Sequence, residues 1–237
     1  MSQCLNCNAS LKQHNKYCPV CGQSTLNLHQ SFTSIAFQAI HEMLDIDGRL
    51  AKTLKMLLLF PGQLSKEYTQ GRRISYSPPL RMYLVISLMF FVVISLIQTT
   101  SNQLDHIQVA IFLFPLGTLE QVPKLMFVML PVYALIVQLF HRKSFYVFNL
   151  IFALHVHSLT YLLLMVILPM NRFENMHLIL FWLQYPFIAY LAFYPLMALK
   201  TMYGNSWLYT LLVYMLTFVL YMASIGLGLE FINLFLT

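Results

Sequence analysis

Five long apolar stretches constrain this chain more than any other feature: residues 79–97, 123–140, 145–168, 178–199 and 207–229. A helix needs roughly 20 apolar residues to cross the hydrocarbon core of a bilayer, and each stretch meets or approaches that length. None carries Asp, Glu, Lys or Arg at its centre. A soluble core is excluded by composition. The chain is 59% hydrophobic and 9% charged, where soluble domains carry about 45–50% apolar and about 25% charged residues. So few charges cannot cover so much apolar surface, and lipid must be the solvent for most of the chain. The expected fold is therefore mainly α, a polytopic helical membrane protein of about five spans. A further apolar piece, 107–119, is short and broken by Pro115, so it reads as interfacial or re-entrant.

All four cysteines lie in the first 21 residues. Cys4-x-x-Cys7, ten residues, then Cys18-Pro19-Val20-Cys21-Gly22 forms two knuckles, each able to present a pair of thiolates. Four thiolates close a tetrahedral structural site and leave no position open for catalysis. The spacing favours zinc, with iron as the rival metal because CPxCG also occurs in rubredoxin-type sites. A linker this short cannot build a core, so the order of residues 3–23 must depend on the metal. In comparable peptides that is worth on the order of 10 kcal/mol or more. Gly22 supplies the backbone freedom that a tight turn after the second pair needs. His14 and His29 read as solvated loop residues. Lys12, Lys16 and Tyr17 do not amount to a basic stacking surface, so no nucleic acid is expected.

Three regions follow: a zinc ribbon over 1–25, amphipathic helices over 30–78, and a transmembrane helical domain over 79–237. In the middle region Phe32, Ile35, Ala36, Ala39, Ile40, Met43 and Leu44 recur at helical spacing, as do Leu50, Leu54, Leu57 and Leu58. Pro61-Gly62 stops the second run, and a short third helix ends at Gly71. Arg49, Lys52, Lys55, Lys66, Arg72, Arg73 and Arg81 face a single acid, Glu67. That pattern predicts helices lying in the interface over anionic lipid, with Arg49, Lys52, Lys55, Arg72, Arg73 and Arg81 as contacts. The alternative is that these helices pack on the membrane domain.

With the N-terminus in the cytoplasm, five spans leave only Lys124 and Arg172 of the 14 Lys and Arg outside. The positive-inside rule therefore predicts a cytoplasmic N-terminus and a C-terminus on the far side. The first 30 residues lack an apolar signal region, so the first span is expected to direct insertion.

Within the apolar stretches, His155 and His157 stand out. Ionisable groups at bilayer depth are expensive and face a bundle interior or a cavity. The two lie about 200° apart on a helix, so one face cannot offer both to a single ligand. A shared polar site would need Tyr133 and Gln138 from the second span, or Gln184, Tyr185, Tyr190 and Tyr194 from the fourth. Pro186 and Pro195 would open that fourth span. The competing reading is that neutral histidines hydrogen-bond tyrosines and hold helices together. His141, in a His-Arg-Lys loop, reads as solvated. No HExxH helix or GxSxG elbow is present, so no catalytic residues are assigned.

Cys-x-Asn-Cys, Tyr17-Cys18-Pro19-x-Cys21-Gly22-Gln23, Pro61-Gly62, Glu67-Tyr68, Gly71-Arg72-Arg73 and Pro79-Leu80-Arg81-x-Tyr83-Leu84 follow one another in order. With Phe152-Ala153-Leu154-His155-Val156-His157-Ser158 and Tyr203-Gly204-Asn205-Ser206, the chain resembles a bacterial family of uncharacterised multipass membrane proteins, a domain of unknown function with an N-terminal zinc ribbon. Asn8 stands where that family leads one to expect glycine, and Asn tolerates the left-handed conformation. The resemblance implies a bacterial inner-membrane location and offers no reaction to inherit. The leading functional expectation is a non-enzymatic scaffold or interaction protein whose ribbon meets a protein partner. A small permease or channel-like subunit built around His155 and His157 is the alternative. An intramembrane enzyme acting on a lipid or quinone comes third.

Overall fold

The computed structural model describes residues 2–12, 16–23, 49–99, 121–172 and 178–236. The first amphipathic run at 32–44, the 107–119 segment, His14 and His29 lie outside the described residues. Two short strands, β1 (Ser2–Gln3) and β2 (Ser10–Leu11), pair antiparallel with Ser2 opposite Leu11. Seven helices follow among the described residues: α1 (Arg49–Leu59), α2 (Gln63–Thr69), α3 (Pro79–Thr99), α4 (Gln121–Phe140), α5 (Tyr146–Arg172), α6 (Leu178–Tyr203) and α7 (Trp207–Leu236).

Each of the five apolar stretches is thus a long helix. Among the described residues three are long and apolar enough to cross a membrane: Pro79–Leu96, Tyr146–Met170 and Trp207–Phe231. α4 contributes a shorter apolar run, Phe127–Phe140. α6 is long and predominantly apolar, with Pro186 and Pro195 inside it.

α5 is the centre of the bundle. α3, α4 and α6 pack on it, and α7 packs on α4 and α6. Its apolar window is 67% buried, against 33% for α3 and 28% for α7. That contrast explains the composition of α5, which places Asn149, His155, His157 and Ser158 among its buried residues. A helix surrounded by other helices can satisfy polar side chains, whereas α7 turns Leu208, Leu212, Met215 and Val219 outward. Aromatic rings lock α3 to α5: Tyr161 sits 4.8 Å from Phe90 and 5.9 Å from Tyr83, centroid to centroid.

α1 and α2 both pack on this bundle. They form a helical hairpin whose turn, Phe60-Pro61-Gly62, is driven in against α6. Gly62 has φ 76° and abuts the backbone of Ala198 so closely that a Cβ would stand 2.3 Å from the Ala198 carbonyl oxygen. Tyr190 donates its hydroxyl to the Leu58 carbonyl. α5 and α6 begin and end on the same face, since His141 before α5 stacks on Tyr203 at the end of α6 with centroids 3.5 Å apart. At 1.5 Å rise per residue, Ala198 lies about 7 Å and Tyr190 about 20 Å from that end. The hairpin therefore packs one side on the bundle, while Lys52, Lys55, Leu59 and Phe60 on its other side stay exposed. α2 buries Leu64, Ser65 and Tyr68 against the bundle.

Candidate functional site

The two knuckles are built alike. Cys4 N–H donates to the Ala9 carbonyl and Cys18 N–H to that of Gln23, at 2.9 and 2.8 Å. Asn8 N–H returns to Cys4 and Gly22 N–H to Cys18, again at 2.9 and 2.8 Å. Asn8 and Gly22, each following the second cysteine of its pair, are left-handed with φ 57° and 72°. That turn points two thiols the same way in each knuckle. The four Sγ atoms lie within 4.8 Å of one another, with Cys4–Cys21 and Cys7–Cys18 both at 3.6 Å. Sulfurs on a tetrahedral ion at about 2.3 Å would be about 3.8 Å apart, so the four residues fit a metal. The thiol electrostatics agree. The backbone of Cys21, helped by that of Val20, draws the Cys18 thiol down to about 6. The backbone of Ala9 favours the Cys7 thiolate, but burial and the thiols of Cys21, Cys18 and Cys4 outweigh it and push Cys7 up to about 12. Four thiols this close need a cation before all can ionise.

The ribbon is clasped to the hairpin. Gln23, buried, donates from Nε2 to the Gly71 carbonyl at 2.5 Å, and its Oε1 accepts the N–H groups of Arg73 and Ile74 at 3.3 and 3.4 Å. Gly71 (φ 84°) sits under Leu5, whose Cδ1 would lie 2.5 Å from an added Cβ. Behind this loop Arg72 grips Glu67 with two N–H groups, that from Nη2 at 2.8 Å, and Gln63 donates to the same carboxylate at 2.9 Å. Residues 47–91 match the model of DUF3667, a family described as a protein of unknown function. The match spans the hairpin, its exit loop and the first half of α3, and the ribbon lies outside it. No curated protein and no solved structure matches the chain.

His155 and His157 are both buried, and they serve different neighbours. Nδ1 of His155 is 2.7 Å from Ser65 Oγ on α2, and the Tyr68 ring stands edge-on at 5.8 Å. His157 donates from Nδ1 to the Ala153 carbonyl at 2.9 Å and accepts the Tyr221 hydroxyl of α7 on Nε2 at 2.7 Å. Tyr133 of α4 meets both rings edge-on, at 5.1 Å from His157 and 5.0 Å from Tyr221. Tyr133 belongs with His157. Gln184 is buried, whereas Tyr185 is 45% exposed beside Trp182. Gln138 serves the loop face instead, donating to the Ser144 carbonyl at 2.8 Å and accepting from Asn149. Of the basic residues, Lys52 and Lys55 are exposed, Arg49, Arg72 and Arg73 partly so, and Arg81 only 8%.

His141 is not the solvated loop residue the sequence implied. It stacks on Tyr203, donates from Nδ1 to the Val137 carbonyl at 3.2 Å, and accepts Asn205 Nδ2–H on Nε2 at 3.2 Å. Burial lowers its pKa below the ordinary 6.5, against the Val137 carbonyl that raises it. A group whose folded pKa is depressed contributes stability above its unfolded pKa and loses it as pH falls through the folded value. The melting temperature in detergent should therefore fall on acidification below about pH 6.5. His141→Phe, which keeps the stack but takes no proton, should show a flatter profile between pH 7 and 5. A wild-type and variant profile of the same slope would remove His141 from this role.

Proposed function

We propose that the protein is a non-enzymatic scaffold of the bacterial inner membrane, with a zinc-ordered ribbon held on the cytoplasmic face as a docking platform for a protein partner. The observation that carries this reading is the Gln23 clasp. It fixes the ribbon to the hairpin while leaving Tyr17 and Val20 64% and 72% exposed. A metal-ordered module held in one orientation, with bare apolar side chains beside its knuckles, has the character of a contact surface. Zinc is the metal this donor set favours, with iron the rival. The positive-inside count supports a cytoplasmic ribbon and a periplasmic C-terminus, and the resemblance supports the inner membrane. Arg49, Arg72 and Arg73, at the loop side of the hairpin, are suited to anionic headgroups there.

The packing of the two histidines also supports a scaffold. Each joins helices, and His157 has both ring nitrogens satisfied. One observation favours the second reading, a small permease or channel-like subunit. His155 Nε2, the Tyr83 hydroxyl and Thr217 Oγ1 are buried without a hydrogen-bond partner among the described residues, and such groups call for an explanation. Affinity purification in mild detergent with mass spectrometry tests the choice. The scaffold reading expects a stoichiometric protein partner that is lost with Tyr17→Ser/Val20→Ser. Its absence, or its retention by that variant, would refute the docking platform.

A further inference from the structure

The outward face of α1 carries charge and apolar surface in a fixed order. Lys52, Lys55 and Leu59 stand at i, i+3 and i+7, one stripe on a helix, and all three are exposed. Phe60 is exposed just beyond. The cations therefore lie toward the loop side and the bare apolar residues toward the bundle interior depth. α1 contains no acidic residue, and the acid on α2, Glu67, is already held by Arg72 and Gln63. Lys52 is seated with Nζ 5.2 Å from the centre of the Tyr76 ring.

The apolar end of the stripe meets α6. Tyr190 of α6 bonds the Leu58 carbonyl. A phospholipid has this same order, an anionic phosphate above an apolar chain.

We propose that this stripe binds an anionic phospholipid, its phosphate held by Lys52 and Lys55 and an acyl chain lying over Leu59 and Phe60. The site rests on the reading of the chain as a membrane protein with anionic-lipid contacts. It is independent of the ribbon, its metal and any protein partner. Two lysines acting together on one phosphate distinguish it from the diffuse attraction of a basic surface, which any exposed cation would share.

The test is thermal unfolding of the full chain in neutral detergent, titrated with short-chain phosphatidylglycerol, phosphatidylcholine or inorganic phosphate. Phosphatidylglycerol should stabilise the wild type where neither of the others does. Lys52→Gln/Lys55→Gln should need about 30-fold more phosphatidylglycerol for the same shift, since each lysine near anionic lipid contributes about a factor of five. Arg142→Gln/Lys143→Gln, which removes two other exposed cations on the loop side, should respond as the wild type. Equal stabilisation by phosphatidylcholine or by inorganic phosphate would overturn the proposal. So would an unchanged response of the Lys52/Lys55 variant, or equal weakening in both double variants.

Discussion

A chain carrying Cys18→Ser and Cys21→Ser should hold no metal, where the wild type should hold about one ion per chain by elemental analysis. Serine offers no thiolate, and the two remaining sulfurs on Cys4 and Cys7 cannot close a tetrahedral site. Residues 2–23 have little else to order them. Their apolar cluster consists of Cys4, Leu11 and Cys18 with Cys7, Ala9 and Cys21 packed against it, so the metal ligands are most of the ribbon's own core. The backbone bonds that shape the knuckles, such as Cys18 N–H to the Gln23 carbonyl, should open with the metal. The bundle should remain folded, because its core runs from Leu57 through Tyr83, Phe152 and Tyr161 to Leu229 with no contribution from the ribbon. Helical content and detergent melting of the variant should therefore stay close to wild type. Equal metal in both proteins would refute the site, and collapse of the bundle would refute the independence of its core.

Gly62→Ala should be the most damaging of the conservative glycine substitutions. An alanine Cβ there would lie 2.3, 2.8 and 2.9 Å from the carbonyl oxygen, Cα and carbonyl carbon of Ala198. These are backbone atoms inside α6, so no side-chain rotation relieves the overlap. The left-handed backbone adds about 1–2 kcal/mol for any residue with a Cβ, and overpacking adds typically about 1–3 kcal/mol. A loss of roughly 2–5 kcal/mol follows from those two terms together. Gly204, with φ 69° and nothing within 4 Å of its added Cβ, isolates the conformational part. Gly204→Ala should cost only about 1–2 kcal/mol. Lifting the hairpin turn would also draw Ser65 from His155, so the Gly62 variant should expose that histidine to modification. If the two variants melt alike, the hairpin is not seated against α6 as described.

The long helices were legible because apolar stretches near 20 residues leave a chain few alternatives. The knuckles were legible to single residues. A glycine, or an asparagine in its place, was expected after each second cysteine, and Gly22 and Asn8 both adopt the left-handed turn. The docking of the hairpin was not legible. α2 has only seven residues, too few for a period to show which face is buried, and its basic flanks look the same on a helix lying flat or driven inward. The His155–Ser65 and His157–Tyr221 pairs join residues 90 and 64 positions apart. No local signal distinguishes Tyr221 among 14 tyrosines. Gln23 stood in plain view beside the second knuckle, but its partners, Gly71, Arg73 and Ile74, are set by how the ribbon docks. His141 was misjudged because a His-Arg-Lys loop reads as solvent-facing until Tyr203 and Asn205 from another loop close over it.

The four-cysteine knuckles and the hairpin are joined through Gln23, and amide hydrogen exchange of the full chain in detergent tests that clasp, and its dependence on a bound metal, most directly. Chelation should sharply accelerate exchange at the knuckle amides of Cys4, Asn8, Cys18 and Gly22, and also at Arg73 and Ile74, whose N–H groups lose the Gln23 oxygen. Amides around His155 in α5 should keep their protection. Faster exchange in the knuckles with no change at Arg73 and Ile74 would contradict the clasp.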